Sequence, residues 1–228
     1  MKAIVQEQDL SIYEADVEGS SRVLVVSTPE TRAISNDPFV SGMRYTRTLS
    51  RACARTLREL AANGLVSLNE DDTTVLHVLR GGLNFGLRDA IADAFGWNMH
   101  NSAFISAQRA RKSPDSEEWI ITESAYSKIH LCKRNNIVFG DVVATGTSLE
   151  YALKRMRESA QRDGVTIESV VFFTIGGPRS HEIISELDKD LKKLFPSYRG
   201  SVVVFFEGIF AVASPDSPLS IKIPGTDL

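Results

Sequence analysis

From residue 74 to residue 206 the chain alternates short apolar runs with longer stretches of helical period. Thr74-Val75-Leu76-His77-Val78-Leu79 has the length and the β-branched content of a buried strand. Gly81-Gly82 predicts a turn and residues 85–95 a helix. Residues 102–106 predict a second strand. Asn136-Ile137-Val138-Phe139 predicts a third, with a helix over 148–159 after it. Residues 167–175 and 201–206 predict two more strands, separated by a helix over 180–194. Ahead of this block, residues 44–62 place Leu49, Ala52, Cys53, Leu57 and Leu60 near helical period, and five arginines lie on the other faces. Asn63-Gly64 ends that helix. Strand and helix in alternation mean an α/β fold, a mostly parallel sheet with helices on both faces. Such sheets bind ligands beyond the carboxyl ends of their strands. The loops after Leu79, Phe139 and Ile175 are therefore the places to look for chemistry.

The remaining segments are less regular. In residues 1–40, the apolar run Val23-Leu24-Val25-Val26 lies between turn-rich pieces, and Asn36-Asp37-Pro38 closes the segment. This segment is expected as a hood or arm, part of a small hood built from the N- and C-terminal segments, with the main domain over 41–228. Residues 108–118 are polar, first basic and then acidic, and predict a mobile loop. Residues 119–126 predict a strand or hairpin arm.

Composition narrows the function. With 228 residues, 43% of them hydrophobic, the chain can bury a full core. Lys and Arg total 26 and Asp and Glu 29, so no global positive field exists to hold a nucleic-acid backbone. The two cysteines, Cys53 and Cys132, form no CxxC pair, which argues against a disulfide framework and a cysteine zinc site. Reduced thiols fit a cytoplasm. The apolar start Met1-Lys2-Ala3-Ile4-Val5 turns polar at Gln6, too soon for a signal peptide. The apolar stretch 202–213 contains Glu207 and cannot span a bilayer. The four histidines show no metal-ligand spacing. A cytoplasmic protein with a small-molecule site is expected, with neither membrane nor nucleic acid as partner.

The segment Ile137-Val138-Phe139-Gly140-Asp141-Val142-Val143-Ala144-Thr145-Gly146-Thr147-Ser148 carries the most chemistry. A strand runs into an acid, then into a small hydroxyl-rich turn, then into a helix. A helix start offers unpaired N–H groups and partial positive charge, and small residues let a phosphate approach them. Thr145, Thr147 and Ser148 add hydroxyls, and Asp141 could hold sugar hydroxyls a fixed distance away. The spacing suits a ribose 5-phosphate. A plain capped helix, with Thr147 or Ser148 as N-cap, uses the same hydroxyls. In Val78-Leu79-Arg80-Gly81-Gly82-Leu83-Asn84-Phe85-Gly86, glycines permit an anion-binding nest between strand and helix; an ordinary turn would look the same.

These two loops resemble those of the type I phosphoribosyltransferases, and the pattern is similar to that of uracil phosphoribosyltransferase-like members. Residues 140–148 resemble the loop that binds phosphoribosyl pyrophosphate (PRPP). Asp141 matches the second of the motif's two acids, while Gly140 stands at the first. Ala144 stands where purine members carry an acid that acts on the base, so no general base is expected from this loop. Residues 79–86 resemble the pyrophosphate loop, which in that family often has a cis peptide, here Leu79–Arg80.

The resemblance implies a transfer of ribose 5-phosphate from PRPP to uracil or a related heterocycle, releasing pyrophosphate. It assigns the 5-phosphate to Ala144, Thr145, Gly146, Thr147 and Ser148, and the ribose hydroxyls to Asp141. Pyrophosphate falls to Arg80, Gly81 and Gly82, joined by Arg109 from a closing loop, with Arg111 and Lys112 as second choices. Asp141 and Arg109 are the implied catalytic residues. Ile223 and Gly225, in Ile221-Lys222-Ile223-Pro224-Gly225, resemble the base-binding tail. Mg²⁺ is the implied cofactor, held through substrate with Asp141 nearby and no direct side-chain ligand. A homodimer is implied, with Arg44, Arg47 and Arg51 as contact candidates or as surface salt-bridge formers. Tyr126 and Lys128 loosely resemble the far arm of the closing loop. The alternative is a catalytically weak protein of this fold that binds PRPP or a nucleotide and regulates something else.

Overall fold

The computed structural model describes residues 1–79, 85–106, 108–111, 119–123, 126–143 and 146–210, with 108–111, 119–120 and 122–123 described by backbone alone. Among the described residues, eleven strands and five helices run in the order β1 Lys2–Glu7, β2 Leu10–Glu14, β3 Arg22–Ser27, α1 Pro29–Asn36, α2 Gly42–Ala62, β4 Thr73–Leu79, α3 Leu87–Phe95, β5 Asn101–Ser106, β6 Gln108–Arg111, β7 Trp119–Glu123, β8 Ser127–Lys128, β9 Arg134–Val143, α4 Thr147–Asp163, β10 Thr166–Gly176, α5 Arg179–Leu194 and β11 Ser201–Ile209. Nine strands form one sheet in the order β1-β2-β3-β11-β10-β9-β4-β5-β8, and β6 and β7 pair separately. The six strands from β3 to β5 are parallel to their neighbours. β1, β2 and β8 add antiparallel edges. The N-terminal segment, expected as a hood or arm, thus forms one edge of the sheet with its first three strands.

Side-chain alternation sorts the core into two layers. On β3, β9, β10 and β11, Val23, Phe139, Phe172 and Phe205 face α4 and α5, whereas Leu24, Val138, Phe173 and Phe206 face α2 and α3. A strand buried on both faces has to be apolar at every position, hence the uninterrupted runs in the sequence. Phe139 and Phe172 stack across neighbouring strands at 4.5 Å. Each such side chain stabilises the fold by roughly 1.5–3 kcal/mol. Cys53 is among the buried residues and Cys132 is half-buried; both are free thiols. Burial pushes the Cys53 thiol pKa far up, so it stays protonated and inert.

One carboxylate lies inside this core. Asp188 on α5 is fully buried and accepts hydrogen bonds from Tyr198 Oη at 2.5 Å and from Ser201 Oγ. The network ties α5 to the start of β11. Burial and the Asp188 charge push the Tyr198 phenol up, which keeps it a donor. Among the described residues, no helix is long and apolar enough to cross a membrane.

Two boundaries differ from expectation. The strand expected over 136–139 runs from Arg134 to Val143, so Gly140 and Asp141 lie in β9 and not in a loop. Gly and Asp are poor strand formers, but pairing with β10 on one side extends the strand to Val143. The polar stretch expected as a mobile loop begins as a strand, because Gln108–Arg111 pairs antiparallel with Trp119–Glu123. A four-residue charged strand has no apolar pattern to betray it. Residues 112–118 lie outside the described residues.

Candidate functional site

β4 and β9 are hydrogen-bonded neighbours, but the chain leaves them in opposite directions. β4 leads through α3 to β5 on one side, and β9 leads through α4 to β10 on the other. α3 packs on one face of the sheet and α4 on the other. The connections diverge at the carboxyl ends of β4 and β9, and in α/β sheets such a topological switch point is where the ligand crevice lies.

Asp141 stands at this end of β9. Its neighbours Phe139 and Val143 on the same face pack toward α4 and α5, so alternation places the carboxylate on that face. Asp141 is half-buried, and its Oδ1 accepts the Val142 N–H at 2.9 Å. Gly140 faces the other way. A Cβ there would clash with Cγ of Phe85 and lie 2.8 Å from Cδ2, and Phe85 is buried. The first motif position is thus occupied by the ring of a residue from the neighbouring loop.

α4 begins at Thr147, one residue earlier than expected. Its N-cap is Gly146 with φ 83°, a residue with no side chain to cap with. Neither Thr147 nor Ser148 is the cap, because the left-handed turn into the helix requires a glycine. A Cβ on Gly146 would also clash with Ile183 Cδ1 of α5. Thr147 is half-buried and Ser148 buried, in the first turn. Arg179 of α5 pairs with Glu150 of α4 and, at 3.3 Å, with Glu182, which clamps the two helix starts together. The start of α4 carries the positive end of its dipole toward the crevice.

Across the crevice, Gly86 caps α3 in the left-handed conformation at φ 59°, and Ser50 Oγ of α2 donates to its carbonyl at 3.2 Å. His77 on β4 stacks on Phe104 at 4.9 Å. Burial, with Arg88 and His100 nearby, pushes its imidazole pKa from 6.5 down to about 4. At neutral pH His77 is therefore uncharged.

The structure brings Asp141, Gly146, Thr147 and Ser148 together at one strand end and helix start. Arg109 and Arg111 sit two positions apart on β6, and the β6–β7 hairpin lies beside α4. Arg80, Gly81, Gly82, Lys112, Ala144, Thr145, Ile223 and Gly225 lie outside the described residues, as does the Leu79–Arg80 peptide. Arg44 pairs loosely with Asp37 at 3.9 Å, the surface salt-bridge alternative. Tyr126 is exposed and Lys128 lies in β8.

Sequence reasoning missed Glu207. It sits near the end of β11 with φ 65°, where the pairing with β10 shifts register between Thr174 and Gly176. The bulge aims its carboxylate at α1: Ser27 Oγ donates at 3.1 Å and Thr31 Oγ1 also donates. A charge inside an apolar run was the available signal.

No family model and no curated protein sequence matches the chain. Among solved structures it is similar to an adenine phosphoribosyltransferase from Trypanosoma brucei, in complex with AMP, pyrophosphate and ribose-5-phosphate, at 14% identity and TM-score 0.44, over 95% of this chain and 96% of that one. It is also similar to a hypoxanthine phosphoribosyltransferase from Staphylococcus aureus, at 16% identity and TM-score 0.38, over 59% of this chain and 66% of that one, just under two thirds of its length. A hypoxanthine-guanine phosphoribosyltransferase from Bacillus anthracis gives 16% identity and TM-score 0.33, over 56% of this chain and 70% of that one.

Proposed function

We propose that the crevice between β4 and β9 binds PRPP and that the protein transfers its ribose 5-phosphate to a nucleobase, uracil or a related heterocycle. The observation that carries this reading is the placement of Asp141. It stands at the switch point, six residues before a helix that starts on a left-handed glycine. Residues 144–148 hold the 5-phosphate against the start of α4, and Asp141 accepts the ribose hydroxyls. Arg80 and its backbone neighbours hold pyrophosphate, with Arg109 arriving from the hairpin beside α4. Ile223 and Gly225 contact the base.

A ring nitrogen of the base forms a bond to ribose C1 while the C1–O bond to pyrophosphate breaks. Pyrophosphate leaves with the electron pair, C1 inverts, and the N–H proton of the base passes to an oxygen of the departing pyrophosphate. Positive charge on the ribose and negative charge on the leaving group call for positioning and fixed dipoles. Among the described residues, no three His, Cys, Asp or Glu side chains come together as a metal cage. Mg²⁺ arriving with PRPP would neutralise charge on the pyrophosphate, and Asp141 is the residue that would lie beside it.

One observation favours a second reading. The ring of Phe85 fills the place of the first motif acid, leaving one carboxylate for the ribose. A protein that binds PRPP or a nucleotide without turning it over, and regulates something else, fits that arrangement. Pyrophosphate release from PRPP and Mg²⁺ across a panel of free bases separates the two. Release with one base is the transferase; PRPP binding without release is the regulator.

A further inference from the structure

Near the end of β10 and in the first turn of α5, two buried hydroxyls have no hydrogen-bond partner among the described residues. Thr174 and Ser180 are both 0% exposed, and neither Thr174 Oγ1 nor Ser180 Oγ has a hydrogen-bond partner. A buried hydroxyl without a partner costs stability, and folded chains keep few of them. These two lie together. A Cβ on Gly176 would sit 2.9 Å from Ser180 Oγ, 3.2 Å from Thr174 Oγ1 and 2.9 Å from the Val143 carbonyl oxygen. Only a glycine lets the three oxygens converge there.

The position is specific. β9 and β10 pair in register so that Thr174 is level with Asp141 and Gly176 with Val143. Level residues on parallel neighbours share a face, with strands about 4.8 Å apart. Phe172 and Phe139, one step below, both face α4 and α5. The Thr174 hydroxyl and the Asp141 carboxylate thus stand side by side on that face, and Ser180, in the first turn of α5, backs Thr174.

We propose that Thr174 is a positioning residue for Asp141. When the carboxylate takes the ribose hydroxyls, Thr174 Oγ1–H donates to it, and Ser180 Oγ–H donates to the oxygen of Thr174. The inference rests on the reading of Asp141 as the ribose ligand. Hydrogen bonds to an ionised group are the stronger kind. Because both hydroxyls are unpaired without ligand and paired with it, their contribution falls on affinity and not on the resting fold.

The test is calorimetry of PRPP with Mg²⁺, alongside thermal melting, on the wild type, Thr174→Val, Thr174→Ser and Ser180→Ala. Thr174→Val keeps the shape and removes the hydroxyl. It should weaken PRPP binding about tenfold while the melting temperature holds or rises. Thr174→Ser should bind within about threefold of wild type, since it keeps the donor. Ser180→Ala, which disturbs packing least, should weaken binding about threefold without lowering the melting temperature. Thr174→Val binding PRPP like wild type overturns the inference. So does a loss of affinity that tracks a loss of melting temperature and is not restored by Thr174→Ser. A wild-type protein that takes up no PRPP overturns the site reading itself, and this inference with it.

Discussion

The ring of Phe85 lies against Gly140 so closely that a Cβ on the glycine would clash with it. Phe85 comes from the loop after β4 and packs at 6.4 Å on Phe206 of β11, inside the layer under α2 and α3. Glycine at this position of β9 is therefore a packing feature that joins β9 to the loop after β4. An acid placed there should not raise activity. Gly140→Asp puts a carboxylate against a buried aromatic ring, and Gly140→Ala already overpacks the site. The alanine variant should lose about 1–3 kcal/mol in urea denaturation, and the aspartate variant more. A Gly140→Asp protein as stable as wild type and faster in pyrophosphate release would overturn this account of the glycine.

His77 gives the fold an acid limit. Its imidazole pKa falls to about 4 in the folded protein, from 6.5 in the free side chain, chiefly through burial. Between those values the unfolded chain binds a proton that the folded chain does not. Stability is thus fully present above about pH 6.5, falls as pH drops toward 4, and levels off below it for this group. His77→Phe, which keeps the stacking on Phe104, should flatten the melting temperature between pH 6.5 and 4. Equal slopes for the two proteins would remove His77 from the acid response.

Gly146 should tolerate no side chain. At φ 83° and with Ile183 where a Cβ would go, Gly146→Ala is strained by backbone and by packing. A loss of about 1–3 kcal/mol in chemical denaturation is expected. PRPP affinity should fall with it, because the start of α4 shifts off Ile183. Wild-type stability in this variant would show that the turn into α4 accepts other conformations.

The buried Asp188 should be among the costliest polar residues to remove. Asp188→Ala leaves the Tyr198 and Ser201 hydroxyls without their acceptor inside the core. About 2–4 kcal/mol of stability should go, read by urea denaturation. A change under ~0.5 kcal/mol, the surface-site range, would show that the network adds little.

The central strands were legible because burial on both faces forces unbroken apolar runs, as at Val170-Val171-Phe172-Phe173. The switch point was not legible, since strand order depends on which strands pair and not on their order in the chain. The ends of β9 and the start of α4 were misjudged for a local reason. Gly140, Asp141 and Gly146 read as loop residues, but pairing holds the first two in a strand and Gly146 caps a helix. The β1–β2 edge hairpin was hidden by its half-polar alternation, and β6 by its charge. Thr174 and Ser180 carried no sequence signal, because an unpartnered hydroxyl is visible only once its surroundings are known.

The claim that the crevice between β4 and β9 takes PRPP is tested most directly by calorimetry of PRPP with Mg²⁺ on the wild type and on Asp141→Asn. Asn keeps the size and the fold but loses the charged acceptor for the ribose hydroxyls. The wild type should bind one PRPP per chain, and Asp141→Asn should bind at least about tenfold more weakly at an unchanged melting temperature. Equal affinity in the two proteins, or no binding by the wild type, would contradict the assignment of this crevice.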